Sequence, residues 1–495
     1  MSERIPAAPE PTSDRCDSLA VSFRDPAGSL FPLDGRILRV VNAIGAADLD
    51  AVFQSAAACE LVSARRIVGT QRLTTEEMQH LLDDPRVRQL YDGISGQMLV
   101  EHERIDFPSF PYEWPPEMLH AAGALTLEVA QALLRDGLGL KDATPYNVLF
   151  RGPEPVFIDV LSFERRDAGD PTWLPYAQFV RTFLLPLLAN RHFGIALDQI
   201  LTTRRDGLEP EEVYRWSTPL QRMRPGFLSL VTMPTLLGAK QSADDQKIYQ
   251  KKRLSDPEKA RYILSSILKG LRRSLNRLEP KTGSTSSWTG YMDTNNNYSA
   301  EHFAAKEKFV AEALAEFSPR RVLDAGCNTG HFSALAARAG ASVVALDYDP
   351  VVLGPVWRQA RAEKLDILPL VVNLTRPTPG TGWRNRECSS FLDRARGHFD
   401  AVLMLAVIHH MLVTERVPLP DILELAAELT KDILIVEFIA PQDSMFQRLT
   451  RGREELHKDL AHQYFENLCR ERFNIVRMQH VESSSRWLYL LRKRA

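Results

Sequence analysis

The sequence comprises 495 residues, of which 44% are hydrophobic and 25% are charged. A chain of this length is too long for a single hydrophobic core, so we expect two or three domains. The 61 basic and 63 acidic residues give a net charge of −2, which provides no overall electrostatic footprint for nucleic acid.

The amino-terminal segment, residues 1–18, has proline, serine and mixed charges but no apolar core, so it is predicted to be a disordered tail rather than a signal peptide. No apolar run reaches the roughly 18 residues needed to cross a bilayer, so no transmembrane segment is predicted. The five cysteines occur singly, without a C-x-x-C pair, which favours neither zinc knuckles nor a disulfide framework. We therefore predict a cytoplasmic protein without a bound metal.

Residues 19–280 are predicted to form an α+β domain, and its most informative feature is a set of three polar residues. Asp142 and Asn147 have the spacing D-x-x-x-x-N, and Asp159 ends the following predicted strand. This is the layout of a kinase catalytic loop and its metal-binding aspartate. The segment resembles the C-lobe of protein-kinase-like and aminoglycoside-phosphotransferase-like folds, which places Asp142 at the base position and the other two at metal-ligand positions.

The segment also departs from the kinase pattern. Leu140 and Lys141 stand where kinases have His-Arg, no G-x-G-x-x-G precedes them, and the strand that would carry the phosphate-binding lysine offers Arg39. Three interpretations stay open: a degenerate kinase-like scaffold, an active phosphotransferase, or a coincidence of spacing.

The stretch 247–281 is strongly basic, with eleven Lys or Arg against three acids, a local excess of 11 − 3 = +8. Apolar residues recur there at helical spacing, which indicates one apolar face. The helix either packs on its own domain or makes peripheral contact with an anionic membrane or glycolipid. Residues 281–287 are predicted to be a linker.

Residues 288–495 are predicted to form a second domain, whose most informative feature is a strand followed by a turn and a helix. The strand ends on Asp324, the turn contains Gly326 and Gly330, and the next strand ends on Asp347, where a carboxylate can accept hydrogen bonds from a ribose diol. Asn328 occupies a position that is glycine in the dinucleotide fingerprint, which disfavours NAD and FAD.

This turn resembles motif I of the class I S-adenosylmethionine-dependent methyltransferases, D-x-G-x-x-x-G. The resemblance covers about 288–495 and implies a Rossmann-like α/β domain of seven strands, five parallel and capped by an antiparallel hairpin, with S-adenosyl-L-methionine as cofactor. It implies that Asn373, at the end of the third strand, touches the adenine, and that Tyr291 and Tyr298 are candidate lid residues. The alternative is a strand-turn-helix that binds no ligand.

Three further stretches resemble a bacterial subgroup that includes the host-specificity nodulation (NoeA-like) methyltransferases. They are Asn-Thr-Gly-His at 328–331, Pro-Thr-Pro-Gly-Thr-Gly-Trp at 377–383, and Ile-His-His at 408–410. The second belongs to an insertion, 377–398, that is too long for a simple connection and is either functional or a disordered surface excursion.

Candidate catalytic residues follow the fourth and fifth strands. His409 and His410 stand where amide- and base-methylating enzymes have an Asn-Pro-Pro-Tyr-like motif, and a histidine can act as general base for a hydroxyl. Glu437 and Asp443 are predicted at the same edge of the sheet, where they could hold the acceptor or orient a histidine. The alternatives are a structural role for the histidines, or a divalent metal bound by His410, Glu437 and Asp443.

The sequence therefore predicts a methyltransferase acting on a hydroxyl or amine of a small-molecule or glycan-type acceptor, such as a glycolipid. Two alternatives stay open: a bifunctional kinase and methyltransferase, and a cofactor-sensing scaffold with a kinase-like half that binds a partner.

Overall fold

The computed structural model describes residues 22, 24–238, 253–281, 300–457 and 460–494. They divide into two compact units, the smaller comprising the described residues up to Gln54 and Val68–Arg104, the larger Ser55–Ile67 and the chain from Ile105 onward. The predicted tail 1–18, residues 282–287 of the predicted linker, and Tyr291 and Tyr298 lie outside the described residues. No helix among the described residues is long and apolar enough to cross a membrane.

The smaller unit is an antiparallel sheet with three helices. Its sheet has the order β1-β2-β4-β3, built from β1 (Gly28–Leu33), β2 (Arg36–Asn42), β3 (Thr70–Arg72) and β4 (Gly96–His102). Its helices are α1 (Ala43–Gln54), α3 (Thr75–Leu82) and α4 (Pro85–Gly93), and α2 (Ala56–Ser63) belongs to the larger unit. Asp34 and Gly35 join β1 to β2 with positive φ angles, as a two-residue hairpin requires.

The first part of the larger unit combines helices with two small two-stranded sheets. The strands β5 (Leu138–Leu140) and β8 (Phe163–Arg165) pair antiparallel, as do β6 (Val148–Arg151) and β7 (Glu154–Phe157). The helices are α5 (Pro116–Leu133), α6 (Tyr176–Phe179), α7 (Leu185–Phe193), α8 (Leu197–Leu201), α9 (Pro210–Trp216), α10 (Pro219–Arg222), α11 (Pro225–Phe227), α12 (Met233–Gly238) and α13 (Pro257–Arg277).

The basic helix α13 packs against α5 within the larger unit. Its leucines at 264, 268, 271 and 275 are buried, as the first of the two sequence interpretations predicted. The apolar face of α13 is therefore occupied within the domain, and peripheral contact with a membrane through the basic residues of 247–281 stays a prediction.

The second part of the larger unit is a seven-stranded mixed sheet of order β11-β10-β9-β12-β13-β15-β14. Its strands are β9 (Arg321–Ala325), β10 (Ser342–Asp347), β11 (Ile367–Val371), β12 (Phe399–Met404), β13 (Thr430–Ile439), β14 (Phe473–His480) and β15 (Arg486–Lys493). The first five strands in sequence are parallel, and β15 pairs antiparallel with both β13 and β14. The predicted Rossmann-like sheet with a closing hairpin is confirmed.

The helices around this sheet are α14 (Ala300–Phe317), α15 (His331–Arg338), α16 (Pro350–Glu363), α17 (Phe391–Ala395), α18 (Leu419–Leu429), α19 (Ser444–Thr450) and α20 (His462–Arg472). One core joins apolar residues of α14, α15 and α16 to the sheet. The helix α19 ends at Thr450, shortly before Gly452 with φ +77°. The strand β12 ends at Met404, two residues before Ala406 with φ +58°.

The insertion 377–398 packs on the first part of the larger unit. The carboxylate of Glu113, which is fully buried, pairs with Arg394 and accepts a hydrogen bond from Thr378 Oγ1 at 2.6 Å. Nearby, Trp357 Nε1 of α16 donates to the carbonyl oxygen of Pro153 at 2.9 Å. The insertion is thus an ordered connection between two parts of one unit rather than a disordered excursion.

Candidate functional site

The turn after β9 is shaped by glycines that other residues would strain. Gly326 and Gly330 have φ angles of +74° and +78°, in the left-handed region that favours glycine. A Cβ on Gly330 would lie 2.9 Å from the side chain of Val356, so the start of α15 needs glycine for close packing against α16. The motif spacing therefore has a steric cause.

Asp347 holds this turn against the end of β10. Its Oδ2 accepts a hydrogen bond from the backbone N–H of Asn328, and its Oδ1 accepts one from Asp349 N–H, both at 3.0 Å. Burial raises the pKa of Asp347 to about 6, although the two backbone donors favour the carboxylate. An acid positioned in this way can accept further hydrogen bonds from a ligand diol at the carboxyl edge of the sheet.

Asp324 lies beneath the turn and is almost fully buried. It accepts a hydrogen bond from Ser333 Oγ of α15 at 2.6 Å. Burial raises the pKa of Asp324 to about 6. Its carboxyl group thus joins the end of β9 to the first turn of the helix.

A cavity of about 410 Å³ opens beside these residues. Of the sequence-predicted residues, it brings together Asp324, Gly326, Asn328, Asp347, Asn373 and His410. Within the described part of the chain, its lining does not include Gly330, His409, Glu437 or Asp443. The remaining walls are mostly apolar, with Phe303, Phe332, Val407, Met411 and Leu449 among them.

The cavity has polar groups suited to a ligand with hydrogen-bonding capacity. Asn328 Oδ1 is buried and has no hydrogen-bond partner among the residues that the structure describes. Buried polar atoms are normally paired, so a polar ligand group is an appropriate partner for it. The side chain of Asn373, which also lines the cavity, accepts hydrogen bonds from Thr375 N–H and Oγ1, which fixes the residue expected to meet an adenine.

The two adjacent histidines have different surroundings. His410 lines the cavity, whereas His409 is 3% exposed and neither of its ring nitrogens has a hydrogen-bond partner among the described residues. Burial lowers the pKa of His410 below its ordinary value and that of His409 well below it. The neutral imidazole is favoured at both positions, and His410 is the one placed to accept a proton in the cavity.

Glu437 and Asp443 form a buried ionic network behind the cavity. Glu437 accepts hydrogen bonds from Lys306 Nζ at 2.7 Å and Arg486 at 3.2 Å, and Asp443 accepts one from Arg486 Nε at 3.0 Å. No group of three His, Cys, Asp or Glu suited to a metal occurs in the described ranges. Here Glu437 and Asp443 have cationic side chains as partners, and the direct catalytic role predicted for them is untested by these contacts.

Lys306 is a residue of the cavity that was not predicted from the sequence. It is 5% exposed and lines the cavity, yet it belongs to a helix whose other inward residues are apolar. The position of Lys306 in the sequence could have indicated it, because Phe303, Lys306 and Val310 have the i, i+3, i+7 spacing of one helix face. A lysine on a buried face needs an acid partner, which Glu437 supplies.

The three kinase-like residues lie on the loops that connect β5 to β6 and β7 to β8. Asp142 is exposed and accepts a hydrogen bond from Gln178 Nε2 at 3.4 Å, and Asp159 is half-buried. Asn147 is 9% exposed, and its Nδ2 has no hydrogen-bond partner in the described residues.

Two comparisons with known proteins indicate a methyltransferase of a known family. A family model described as a methyltransferase domain matches residues 298–483. The nodulation protein NoeA of Rhizobium meliloti (strain 1021) is 31% identical over 494 residues, covering 99% of this chain and 98% of that protein.

Two solved structures have weaker similarity. The N-methyltransferase NodS of Bradyrhizobium japonicum WM9, in complex with S-adenosyl-L-homocysteine, is 13% identical with a TM-score of 0.31, covering 45% of this chain and 98% of NodS. The bifunctional kinase-methyltransferase WbdD is 18% identical with a TM-score of 0.28, covering 41% of each chain. On the family model and the full-length relative, the chain belongs to the family of the nodulation protein NoeA and is an S-adenosylmethionine-dependent methyltransferase.

Proposed function

We propose that the chain methylates a hydroxyl or amine of a small-molecule or glycan-type acceptor in the cavity between Asp347 and His410. The observation that carries this proposal is that one cavity is lined both by Asp347, at the carboxyl edge of the sheet, and by His410, whose pKa is lowered by burial. Asp347 alone would be compatible with a cofactor site that has no base, and His410 alone would be compatible with a structural histidine. Together they provide both functions that methyl transfer to a protonated acceptor requires.

The cofactor supplies an activated methyl group when it is bound. In the proposal, Asp347 accepts hydrogen bonds from its ribose, Gly326 lets the backbone pass close to its methionine part, and Asn328 Oδ1 accepts a hydrogen bond from it. Asn373 and its turn form the adenine side. The mostly apolar walls exclude water from the acceptor and align it.

His410 is the proposed general base. A hydroxyl group must lose its proton as it attacks a methyl carbon, and the neutral imidazole of His410 is available to take that proton. Glu437 and Asp443 act less directly in this proposal, because their carboxylates are paired with Lys306 and Arg486 and are not among the described residues that line the cavity. They are positioning residues for His410 rather than proton carriers.

The experiment is to measure S-adenosyl-L-homocysteine formation with a panel of hydroxyl and amine acceptors, for the parent chain and for His410→Ala. Transfer to a hydroxyl should fall by about a hundredfold or more in the variant, while transfer to an amine should fall less because a neutral amine can attack before it loses its proton. Equal rates for both proteins on every accepted hydroxyl would remove His410 from the reaction.

A second candidate function is supported by the loops around β5–β8. Their order along the chain puts Asp142 and Asn147 on one loop and Asp159 on the loop after the next hairpin, as in a kinase-like C-lobe. We favour a scaffold that binds the acceptor or a partner over a bifunctional kinase. The sequence before Asp142 has no G-x-G-x-x-G loop, and Arg39 stands where kinases have the phosphate-binding lysine. A cytoplasmic location stays a prediction.

A further inference from the structure

Two oppositely charged side chains meet at the mouth of the cavity. Arg376 Nη2 lies 3.2 Å from Glu415 Oε1, and both residues line the cavity. Their side chains are 74% and 30% exposed, so the ion pair stands on the solvent side of the cavity rather than in the protein interior. The proposed methyl transfer assigns no role to it. We call the ion pair of these two residues the strap.

The strap joins two connections that leave the sheet well apart. Arg376 follows β11, and its backbone N–H donates to the carbonyl oxygen of Asn373 at 3.0 Å. Glu415 follows β12, and its backbone N–H donates to the carbonyl oxygen of His410 at 3.2 Å. In the strand order β11-β10-β9-β12, two strands lie between these connections, which separates them by about 14 Å at about 4.8 Å per strand. A contact between them therefore crosses the carboxyl ends of β10 and β9, where Asp347 and the glycine turn lie.

We propose that the strap closes the cavity over the bound cofactor and limits the rate at which the cofactor is exchanged. The inference rests on the proposed placement of the cofactor ribose beside Asp347, because a ligand held there lies beneath the strap. S-adenosylmethionine enters, and S-adenosylhomocysteine leaves, when the two charged side chains separate, and the ion pair forms again after each passage. The strap therefore raises the barrier to exchange in both directions and leaves the affinity unchanged.

The size of the effect follows from the exposure of the strap. Exposed ion pairs stabilise weakly, and salt screens them. Loss of the strap should therefore accelerate association and dissociation by about two- to fivefold each, while the dissociation constant stays within about twofold of the parent value. Replacing a residue that binds the cofactor directly would instead raise the dissociation rate and the dissociation constant together.

The test is surface plasmon resonance of S-adenosyl-L-homocysteine on the immobilised full chain, with the parent, Arg376→Gln and Glu415→Gln. Both variants should show the faster association and the faster dissociation. Raising the salt concentration should accelerate exchange in the parent and have less effect on either variant, because the variants have already lost the strap. The charge-reversed protein, Arg376→Glu with Glu415→Arg, should return both rates to within about twofold of the parent, since it restores the attraction between the two side chains.

The matched control is Arg338→Gln, which removes an exposed ion pair with Glu363, neither partner of which lines the cavity, and should leave both rates unchanged. Rates equal to those of the parent in Arg376→Gln and Glu415→Gln would overturn the inference, and so would a dissociation constant that rises in step with the dissociation rate. Weaker binding by Asp347→Ala together with unchanged rates in the strap variants would overturn the strap alone. Unchanged binding by Asp347→Ala would overturn the placement of the cofactor and the strap with it.

Discussion

At the scale of single residues, the chemistry depends on how burial changes the protonation of a few groups. His410 and Asp347 share a cavity, and burial disfavours the charged form of each. For His410, burial favours the neutral imidazole, which can accept a proton. For Asp347, burial favours the neutral acid, but hydrogen bonds from backbone N–H groups favour the carboxylate. In the proposed reaction, the protonation of these two residues decides whether the site works near neutral pH.

The first prediction concerns the pH dependence of catalysis. A base acts in its unprotonated form, so kcat/KM should rise with pH, and the midpoint of that rise should lie below the ordinary histidine value of about 6.5 because the pKa of His410 is lowered. His409→Asn is the matched variant, since it changes the neighbouring residue outside the cavity lining, and it should keep turnover within about tenfold of the parent. A profile whose midpoint stays the same in His410→Ala would assign the titration to another group.

The second prediction concerns Asp324. Its folded-state pKa of about 6 exceeds the ordinary value of 3.8, so its contribution to stability is fully present below about pH 4 and is lost as pH rises through about 6. Asp324→Asn keeps an oxygen for Ser333 and removes the cost of burying a charge. The free energy of unfolding at pH 7, measured with urea on the cofactor-free protein, should therefore rise by up to about 3 kcal/mol. A less stable variant at pH 7 would show that the buried carboxylate is favourable.

At the scale of elements, the sheet was predictable and its connections were less so. Buried strands such as Val343–Leu346 read as continuous apolar runs, and the short connection before Arg486 forces an antiparallel hairpin. The structure of the insertion 377–398 could not be predicted, because its partner Glu113 lies far away in sequence. The helix α20 was missed, since its few apolar residues give a weak periodic signal.

The third prediction tests that insertion. Arg394→Met should lower the free energy of unfolding by about 3–5 kcal/mol, because it leaves the buried carboxylate of Glu113 unpaired. Adding Glu113→Gln should restore most of that loss, which can be measured by denaturant titration of both variants.

The control is Arg361→Met, which removes an exposed ion pair with Glu154 at the same contact between the two parts and should cost less than about 1 kcal/mol. Equal losses for Arg361→Met and Arg394→Met would show that burial of the pair does not matter.

At the scale of the whole molecule, the protein class and the cofactor of the second half could be predicted from the sequence, whereas the function of the first half could not. Motif I is local, so residues close in sequence carry it, whereas the ionic network of Lys306, Glu437 and Arg486 joins three distant elements. The same limit applies to the kinase-like loops, where spacing alone does not establish nucleotide binding.

The fourth prediction concerns the first half. Thermal denaturation with ATP and magnesium should give no shift, whereas S-adenosylmethionine at about a hundred times its dissociation constant adds about 2.7 kcal/mol of stability. Asp159→Ala is the comparison variant and should behave like the parent. A magnesium-dependent ATP shift in the parent that disappears in Asp159→Ala would instead support the bifunctional alternative.

The most direct test of the central claim is calorimetric titration of S-adenosylmethionine into the parent and Asp347→Ala. The claim is that the cavity beside the β9 turn holds the cofactor through Asp347. The variant should lose about 1.5–3 kcal/mol of binding free energy, the value of a charge-assisted hydrogen bond, while its far-ultraviolet circular dichroism matches the parent. Unchanged affinity in a folded Asp347→Ala protein would contradict the account and remove this residue from the cofactor site.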